Sequence, residues 1–204
     1  MKLYLASANP GKLREFQLAA SSRGIIIDTV SRIQSLPACV EDGQTFEANA
    51  RKKALHFAAY VKGPVFADDS GICVDALGGA PGVWSARYAG PHATEEDNNR
   101  KLILNVTRAA QSEPNSGRHP AHYVCVLALA EDDAILAVAD GRVSGLIIEK
   151  PRGANGFGYD PYFFYPPLGQ TFAELSPEAK FAVSHRGIAF RKLLDALSPV
   201  AEIH

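Results

Sequence analysis

The sequence predicts an α/β protein with a mixed, twisted β-sheet flanked by helices. Two observations carry this prediction. The first 30 residues contain an apolar segment, a helical segment and a β-branched segment, in the order typical of a β-α-β unit. Three extended segments between residues 123 and 149 are separated by short polar connections, which favours antiparallel hairpins in the second half. The pattern is compatible with one domain or with two lobes around a cleft.

Local signals define the elements of the first third of the chain. Residues 3–7 form a short apolar strand, and Asn-Pro-Gly at 9–11 separates it from a helix over residues 11–20. Gly24 ends that helix, and β-branched residues predict a second strand over residues 25–30. Thr45 caps a helix that runs to about residue 61, with Phe46, Ala50 and Ala54 on its apolar face.

The rest of the chain mixes strands with two further helical regions. A strand over residues 65–68 and an extended segment over 72–77 precede a helix that Thr94 opens with a capping-box pattern. Extended segments follow over residues 123–130, 135–139 and 142–149, with turns predicted at residues 131–133 and at Asp140-Gly141. A glycine- and proline-rich loop over 151–167 precedes a short helix from Ser176-Pro177 and a final helix over 187–197.

Composition excludes several classes of protein. With 21 basic and 22 acidic residues, the net charge of −1 argues against broad nucleic-acid binding. No apolar run reaches the roughly 18 residues of a membrane span, and the first residues are too polar for a secretion signal. Cys39, Cys73 and Cys125 lack the spacing of a zinc site or a disulfide framework, so we expect three buried thiols in a reducing cytoplasm.

Two adjacent carboxylates, Asp68 and Asp69, end the strand that begins at residue 65. Because Asp, Ser and Gly are ordinary turn residues, one interpretation is a solvated turn. The other is a metal site, since Mg²⁺ takes one or two carboxylates and keeps its remaining positions for water and phosphates. Glu41 and Asp69 would supply these carboxylates. Side chains alternate along a strand, so Asp68 and Asp69 are predicted to point to opposite faces.

The turn over residues 7–12 lies between a strand and a helix N-terminus, where free N–H groups and the helix dipole attract anions. Lys12 adds a full positive charge, although the turn lacks P-loop spacing and an ordinary connection explains it equally well. Asn49 and Lys53 are four residues apart and share one helix face. Taken alone, this face is expected to be solvated.

A fourth polar region combines residues 153–161 with Lys180 and residues 184–187. Its glycines permit close approach of a flat ligand. Phe157 and Tyr159 either stack on a base or pack into the core. His185 is either a ligand contact or an ordinary capping or core histidine.

Four segments together resemble the inosine triphosphate pyrophosphatase family of the Ham1 or RdgB type, whose bacterial members are dITP/XTP pyrophosphatases. They are LASANPGKLREF, FADDSGICVDALGGAPGVWSARYAG, GANGFGYDPYFF and SHRGIAFRKLLDAL. The resemblance runs from residue 3 to about residue 197. It implies a single domain over residues 1–204, with an elongated mixed sheet and two α/β lobes around a central cleft. It also implies Mg²⁺-dependent hydrolysis of inosine, deoxyinosine and xanthosine triphosphates to monophosphate and pyrophosphate by a cytoplasmic homodimer.

The resemblance also implies a role for each matching residue. Asp69 is the catalytic proton acceptor, and Glu41 and Asp69 hold the metal. The substrate contacts it implies are Ser7, Ala8, Asn9, Pro10, Gly11, Lys12, Lys53, Ser70, Phe157, Gly158, Tyr159, Asp160, Lys180, His185 and Arg186.

Two departures from the family pattern and two alternatives remain. Ala48 stands where a capping glutamate is common, which predicts a small loss of helix stability and no loss of activity. Ala8 replaces a common glycine. A Maf-like pyrophosphatase acting on pyrimidine or modified nucleotides is less consistent with the last two segments, and a nucleotide-binding protein without catalysis does not need the three carboxylates. Residues 162–167 and the region of Trp84 are candidates for a dimer surface, or for ordinary core packing.

Overall fold

The computed structural model describes residues 1–21, 23–112 and 119–197, and they form seven strands and five α-helices. The strands are β1 Lys2–Leu5, β2 Ile26–Thr29, β3 Val65–Val74, β4 His119–Glu131, β5 Ala134–Ile147, β6 Phe163–Tyr165 and β7 Gln170–Thr171. The helices are α1 Pro10–Ser21, α2 Phe46–Ala58, α3 Glu95–Ser112, α4 Pro177–Val183 and α5 His185–Leu197. None of these helices is long and apolar enough to cross a membrane.

The strands form one sheet in the order β2-β1-β3-β4-β5-β6-β7. β1 is parallel to both β2 and β3, as a β-α-β connection requires. β6 is antiparallel to β5 and β7, and a tight turn with Asp132 at φ 52° joins β4 to β5. The predicted α/β class with a mixed sheet and flanking helices is therefore confirmed.

Contacts between residues divide the chain into two compact units. The first unit consists of Met1–Asp69, Cys125–Gly141 and the C-terminal segment from His185. In its core the rings of Phe16, Phe66 and Phe190 meet with centroids 5.1 to 5.9 Å apart. These rings come from α1, β3 and α5, so they hold both helices against the strand that carries the two aspartates.

The second unit consists of Ser70–Val124 and Arg142–Ser184. Its core is a separate aromatic cluster of Tyr123, Phe163 and Phe172, with the Phe163 centroid 4.7 and 4.8 Å from those of Tyr123 and Phe172. Phe163 and Phe172 are completely buried. The glycine-rich segment after β5 therefore leads into a well-packed aromatic core.

The predicted helix starts are confirmed by their side-chain hydrogen bonds. The Thr45 hydroxyl accepts from the Ala48 N–H at 3.1 Å, and the Ser176 hydroxyl accepts from the Ala179 N–H at 3.2 Å. At α3 the capping box is reciprocal, because the Thr94 hydroxyl accepts from the Asp97 N–H and the Asp97 carboxylate accepts from the Thr94 N–H.

Three boundary predictions were wrong. β3 does not end at Asp68 but continues through the Asp-Ser-Gly sequence to Val74. β5 runs through Asp140-Gly141 without a turn. A Cβ at Gly141 would collide with the carbonyl oxygen of His185, which explains the glycine at this position. This glycine permits a close backbone approach to α5 and does not mark a turn. The predicted loop over residues 151–167 contains strand β6.

Candidate active site

Asp68 and Asp69 lie on opposite faces of β3, as strand alternation predicts. The Asp68 carboxylate contacts Lys12 of α1, whereas the Asp69 carboxylate contacts Asn49 of α2. Both residues are buried, with 1% and 8% exposure. The solvated-turn interpretation of this aspartate pair is therefore wrong.

The face of β3 that carries Asp68 holds two cations and a second acid. Lys12 Nζ lies 2.9 Å from Oδ1 and 2.8 Å from Oδ2 of Asp68, and Arg186 Nε lies 3.6 Å from Oδ2. Arg186 also contacts Glu15 Oε2 at 3.3 Å. Burial acts to raise the pKa of Asp68, but Lys12, Arg186 and Lys53 outweigh it and hold that pKa well below its usual range. Asp68 therefore stays ionised at neutral pH and holds both cations.

The face that carries Asp69 has the opposite electrostatic character. Lys53 Nζ lies 3.0 Å from Glu41 Oε2, 3.9 Å from Asp69 Oδ1 and 3.1 Å from the carbonyl oxygen of Asp68. The pKa of Asp69 is raised to about 6, chiefly by burial and also by Glu41 and Asp68, and Lys53 and Asn49 offset these effects only in part. Burial lowers the pKa of Lys53, but the surrounding carboxylates raise it above its usual value.

Asn49 is a component of this site whose role its sequence context did not predict. It is 1% exposed, so the expected solvated face is wrong for this residue. Its Oδ1 accepts from the Gly43 N–H at 2.8 Å, and its Nδ2 donates to Asp69 Oδ2 at 3.2 Å. A Cβ at Gly43 would lie 2.6 Å from Asn49 Oδ1, so only glycine permits this approach. The Gly43 backbone therefore orients the amide that holds Asp69.

The turn over residues 7–12 differs from the expectation of free N–H groups. Asn9 Oδ1 accepts from the N–H groups of Gly11 and Lys12 at 2.8 and 3.2 Å, and Pro10 has no N–H. Because Asn9 caps the helix, a ligand here would meet side-chain donors and the charge of Lys12. Ser7 accepts from the Asn9 N–H at 3.2 Å. The turn borders a concave pocket of about 340 Å³, which residues 29–35 complete.

Three predicted site residues of the second unit, Phe157, Asp160 and Lys180, meet at a buried ion pair. Lys180 Nζ lies 2.6 Å from Asp160 Oδ2, and the two side chains are 2% and 4% exposed. The Phe157 N–H donates to the same carboxylate at 2.9 Å, and the Phe157 ring centroid lies 4.7 Å from Lys180 Nζ. Tyr123 donates its hydroxyl to Asp160 Oδ1 at 3.4 Å. Asp160 is thus held on several sides by protein groups.

Other predicted residues occupy different environments. Tyr159 is 6% exposed and donates its hydroxyl to the Ser85 carbonyl at 2.7 Å, which favours core packing over base stacking. The Gly158 N–H donates to Glu95 and its carbonyl accepts from Asn99, two α3 residues for which the sequence predicted no role. Ser70 is half-buried and follows Asp69 in β3, and His185 is buried at the start of α5.

The donor set around Asp69 fits a hard divalent cation. Glu41 and Asp69 both lie within 4 Å of the same ammonium group, so their charges converge on one small region. In the part of the chain that the structure describes, no group of three or more His, Cys, Asp or Glu side chains could form a complete metal site. Two carboxylates suit Mg²⁺, which leaves most of its coordination to water and phosphate oxygens.

The fold and these residues define an α/β protein whose first unit places lysines beside buried carboxylates. Comparison with known proteins identifies its family. The model of the Ham1 family matches residues 3–196. The chain belongs to the Ham1 family, which confirms the resemblance seen in the sequence.

Individual relatives match over nearly their full length. A dITP/XTP pyrophosphatase of Shouchella clausii is 45% identical and covers 98% of each chain. One from Yersinia pestis is 46% identical and covers 96% of this chain and 98% of the relative. The solved structure of a HAM1 protein from Coxiella burnetii superposes with a TM-score of 0.82 at 40% identity, covering 97% of this chain and 98% of that one.

Proposed function

We propose that this protein hydrolyses inosine, deoxyinosine and xanthosine triphosphates to the monophosphate and pyrophosphate, which removes deaminated purines from the nucleotide pool. The names and full-length similarity of the relatives support this activity. The observation that carries it for this chain is the buried Asp69 carboxylate, held by Asn49 and Lys53, with a pKa raised to about 6. A general base works best when its pKa lies near the operating pH.

Asp69 is proposed to accept a proton from water as the water oxygen attacks the α-phosphorus. The new P–O bond forms as the bond to the bridging oxygen of the β-phosphate breaks, and pyrophosphate leaves. Asn49 limits Asp69 to one orientation by donating to its Oδ2. Lys53 supplies positive charge on the same side and makes ionisation of Asp69 easier.

The phosphates would be held by Lys12, Lys53 and the side chains of the turn over residues 7–12. The Lys12 side chain is 19% exposed, so part of it is open to solvent although Asp68 holds its ammonium group. We propose Glu41 and Asp69 as the metal ligands. Mg²⁺, when bound there, neutralises phosphate charge and keeps Asp69 ionised.

The nucleoside would be held by the remaining predicted residues, namely Ser70, Phe157, Gly158, Tyr159, Asp160, Lys180, His185 and Arg186. Phe157 is the half-buried aromatic of this set, and Lys180 lies against its ring. Since Tyr159 and Asp160 bury their side chains, their support for a nucleoside would come from the backbone and from fixing their neighbours. Donors aimed at the oxygen on purine position 6 would disfavour adenine, because its amino group would leave them unpaired.

The organisation and environment of the enzyme are part of the same proposal. We propose a single functional domain over residues 1–204 that acts as a homodimer in a reducing cytoplasm. Three free thiols support the reducing environment, and two of them, Cys73 and Cys125, are buried.

The test is a substrate panel with Mg²⁺ that contains ITP, dITP, XTP, ATP, GTP and the pyrimidine triphosphates, with product identification. We expect monophosphate and pyrophosphate from the first three. Asp69→Asn should lower kcat by roughly 10²–10⁴-fold with the fold intact. Asp28→Asn is the matched control, because Asp28 forms an exposed pair with Lys2. Wild-type turnover in Asp69→Asn would exclude Asp69 as the base.

Two outcomes of the same panel would favour other functions. Preference for pyrimidine or modified nucleotides would indicate a Maf-like pyrophosphatase. Nucleotide binding without any turnover would indicate a binding protein, although such a protein would not need a buried carboxylate with a raised pKa.

A further inference from the structure

Asp68 has no part in the proposed reaction, yet its carboxylate and its backbone carbonyl contact three cations. Lys12 Nζ lies 2.9 and 2.8 Å from the two oxygens of its carboxylate, and Arg186 Nε lies 3.6 Å from one of them. Its backbone carbonyl accepts from Lys53 Nζ at 3.1 Å. These three cations come from three helices, α1, α5 and α2, so a single residue of β3 links them.

Glu15 provides a second anchor on the same face. It lies one helical turn after Lys12 in α1, and its carboxylate holds Arg186 at 3.3 Å. Glu15 and Arg186 are 8% and 7% exposed at their side chains. Arg186 therefore lies between two buried carboxylates, and Lys12 shares one of them.

We propose that Asp68, supported by Glu15, is a positioning residue that holds Lys12 and Arg186 in the single arrangement that the transition state requires. The inference rests on the proposed function, because it assigns these cations to the polyanionic substrate. Asp68 acts through the cations and does not touch the reacting atoms.

A positioning role differs measurably from a purely structural one. Replacing Asp68 by Asn keeps the shape and one acceptor oxygen but removes a negative charge beside two cations. Because this change makes the site more positive, it should not weaken binding of the anionic substrate in the ground state. A poorly aligned cation lowers the rate of the chemical step, and displacements of about 1 Å cost on the order of 10²-fold. The effect should therefore appear in kcat and not as a higher KM.

The experiment measures kcat and KM for ITP in the wild type, Asp68→Asn, Lys12→Met and the double variant. We expect Asp68→Asn to lower kcat by about 10- to 100-fold without raising KM. If Asp68 acts through Lys12 and Arg186, the loss in the double variant should be clearly smaller than the product of the two single losses, because only the part that acts through Arg186 remains once Lys12 is replaced. A kcat within 2-fold of wild type, or losses that multiply in the double variant, would overturn the proposal.

Circular dichroism and thermal unfolding show whether each variant is folded. Should Asp68→Asn not fold, Glu15→Gln carries the test, with an expected fall in kcat of about 3- to 10-fold at unchanged KM, because Arg186 loses its second anchor. Unchanged kcat in Glu15→Gln would then count against the proposal. Absence of ITP hydrolysis in the wild type would instead contradict the proposed function itself.

Discussion

The two units each bury charged side chains, but they do so in different ways. In the second unit Asp160 and Lys180 form one balanced pair with almost no solvent exposure. In the first unit, Lys12, Lys53 and Arg186 are connected to four carboxylates, those of Glu15, Glu41, Asp68 and Asp69. The balanced pair is held further by the Phe157 N–H and the Tyr123 hydroxyl. The cluster of the first unit contains Glu41 and Asp69, the two carboxylates that we propose as ligands of Mg²⁺.

The pKa values within the first unit show the same contrast between neighbouring residues. Asp68 has two cations at its carboxylate and a lowered pKa, whereas Asp69 has Lys53 at 3.9 Å and a pKa raised to about 6. Burial opposes ionisation in both. The number and proximity of the surrounding cations therefore explain why the pKa of Asp68 is lowered while that of Asp69, the candidate base, is raised.

Breaking the balanced pair should have the largest effect on stability. Lys180→Met leaves Asp160 buried without its cation, and removing one partner of a buried pair costs about 3–5 kcal/mol. Urea unfolding measures the loss. Lys192→Met is the matched control, because Lys192 forms an exposed pair with Asp140 and should change stability by less than about 1 kcal/mol. Equal losses in both variants would mean that burial of the pair is unimportant.

The stability of the magnesium-free protein should depend on pH with opposite signs for the two aspartates. Asp69 has a folded pKa of about 6 against 3.8, so its protonation stabilises the fold as the pH falls from 7 towards 4, by up to about 3 kcal/mol. Asp68 has a lowered folded pKa, so its contribution is full above about pH 4 and is lost as the pH falls further.

Urea unfolding in EDTA between pH 2 and 8 measures both limbs of this profile, namely the rise in stability as the pH falls from 7 to 4 and the loss of stability at lower pH. Asp69→Asn should flatten the limb between pH 4 and 7, and Asp68→Asn should flatten the acidic limb. A wild-type profile that falls steadily from pH 7 to pH 4 would contradict the sign assigned to Asp69.

Local sequence signals predicted much of this arrangement. Strand alternation is a property of the backbone, so it separated Asp68 from Asp69 correctly. The helix caps at Thr45, Thr94 and Ser176 involve residues within one turn, and all three were predicted from the sequence. Predictions of this kind succeed because the interacting groups are close in the chain.

Tertiary contacts explain what local signals could not predict. Asp-Ser-Gly after Asp68 has the composition of a turn, but both aspartates find partners on helices, and β3 continues. Asn49 lies in a polar stretch of helix, and its burial depends on the backbone of Gly43. The need for glycine at position 141 likewise comes from a close contact with the backbone of α5, more than 40 residues further along the chain. Sequence alone specifies the residue types here but not their partners.

Replacing Asn9 tests, with a smaller expected effect, the proposal that the first unit binds the phosphates of the substrate. Its Oδ1 is committed to the helix N-terminus, which leaves Nδ2 as a donor for phosphate. Asp and Ser both keep a capping oxygen. Asn9→Asp replaces the donor with a negative charge and should raise KM for ITP by about 10-fold or more, whereas Asn9→Ser should have a smaller effect. Equal KM values in the two variants would mean that the amide does not contact substrate.

The smallest predicted effect concerns a difference between the helix starts of the two units. In the second unit α3 has a reciprocal capping box, whereas α2 in the first unit has only the Thr45 half, because the third helical position is Ala48. Ala48 is exposed, so Ala48→Glu can complete the box without repacking and should stabilise the protein by about 0.5 kcal/mol. ITP turnover should not change.

Urea unfolding of a short series of Ala48 variants measures this gain and identifies its source. Ala48→Gln can form the same hydrogen bond without the charge, so the difference between Gln and Glu reports the interaction with the helix dipole. Ala48→Lys reverses the charge and can complete neither interaction. Equal stability in the Lys and Glu variants would show that the missing half of the box costs α2 nothing, and that the stability of this helix comes from the buried contacts of Asn49 and Ala50.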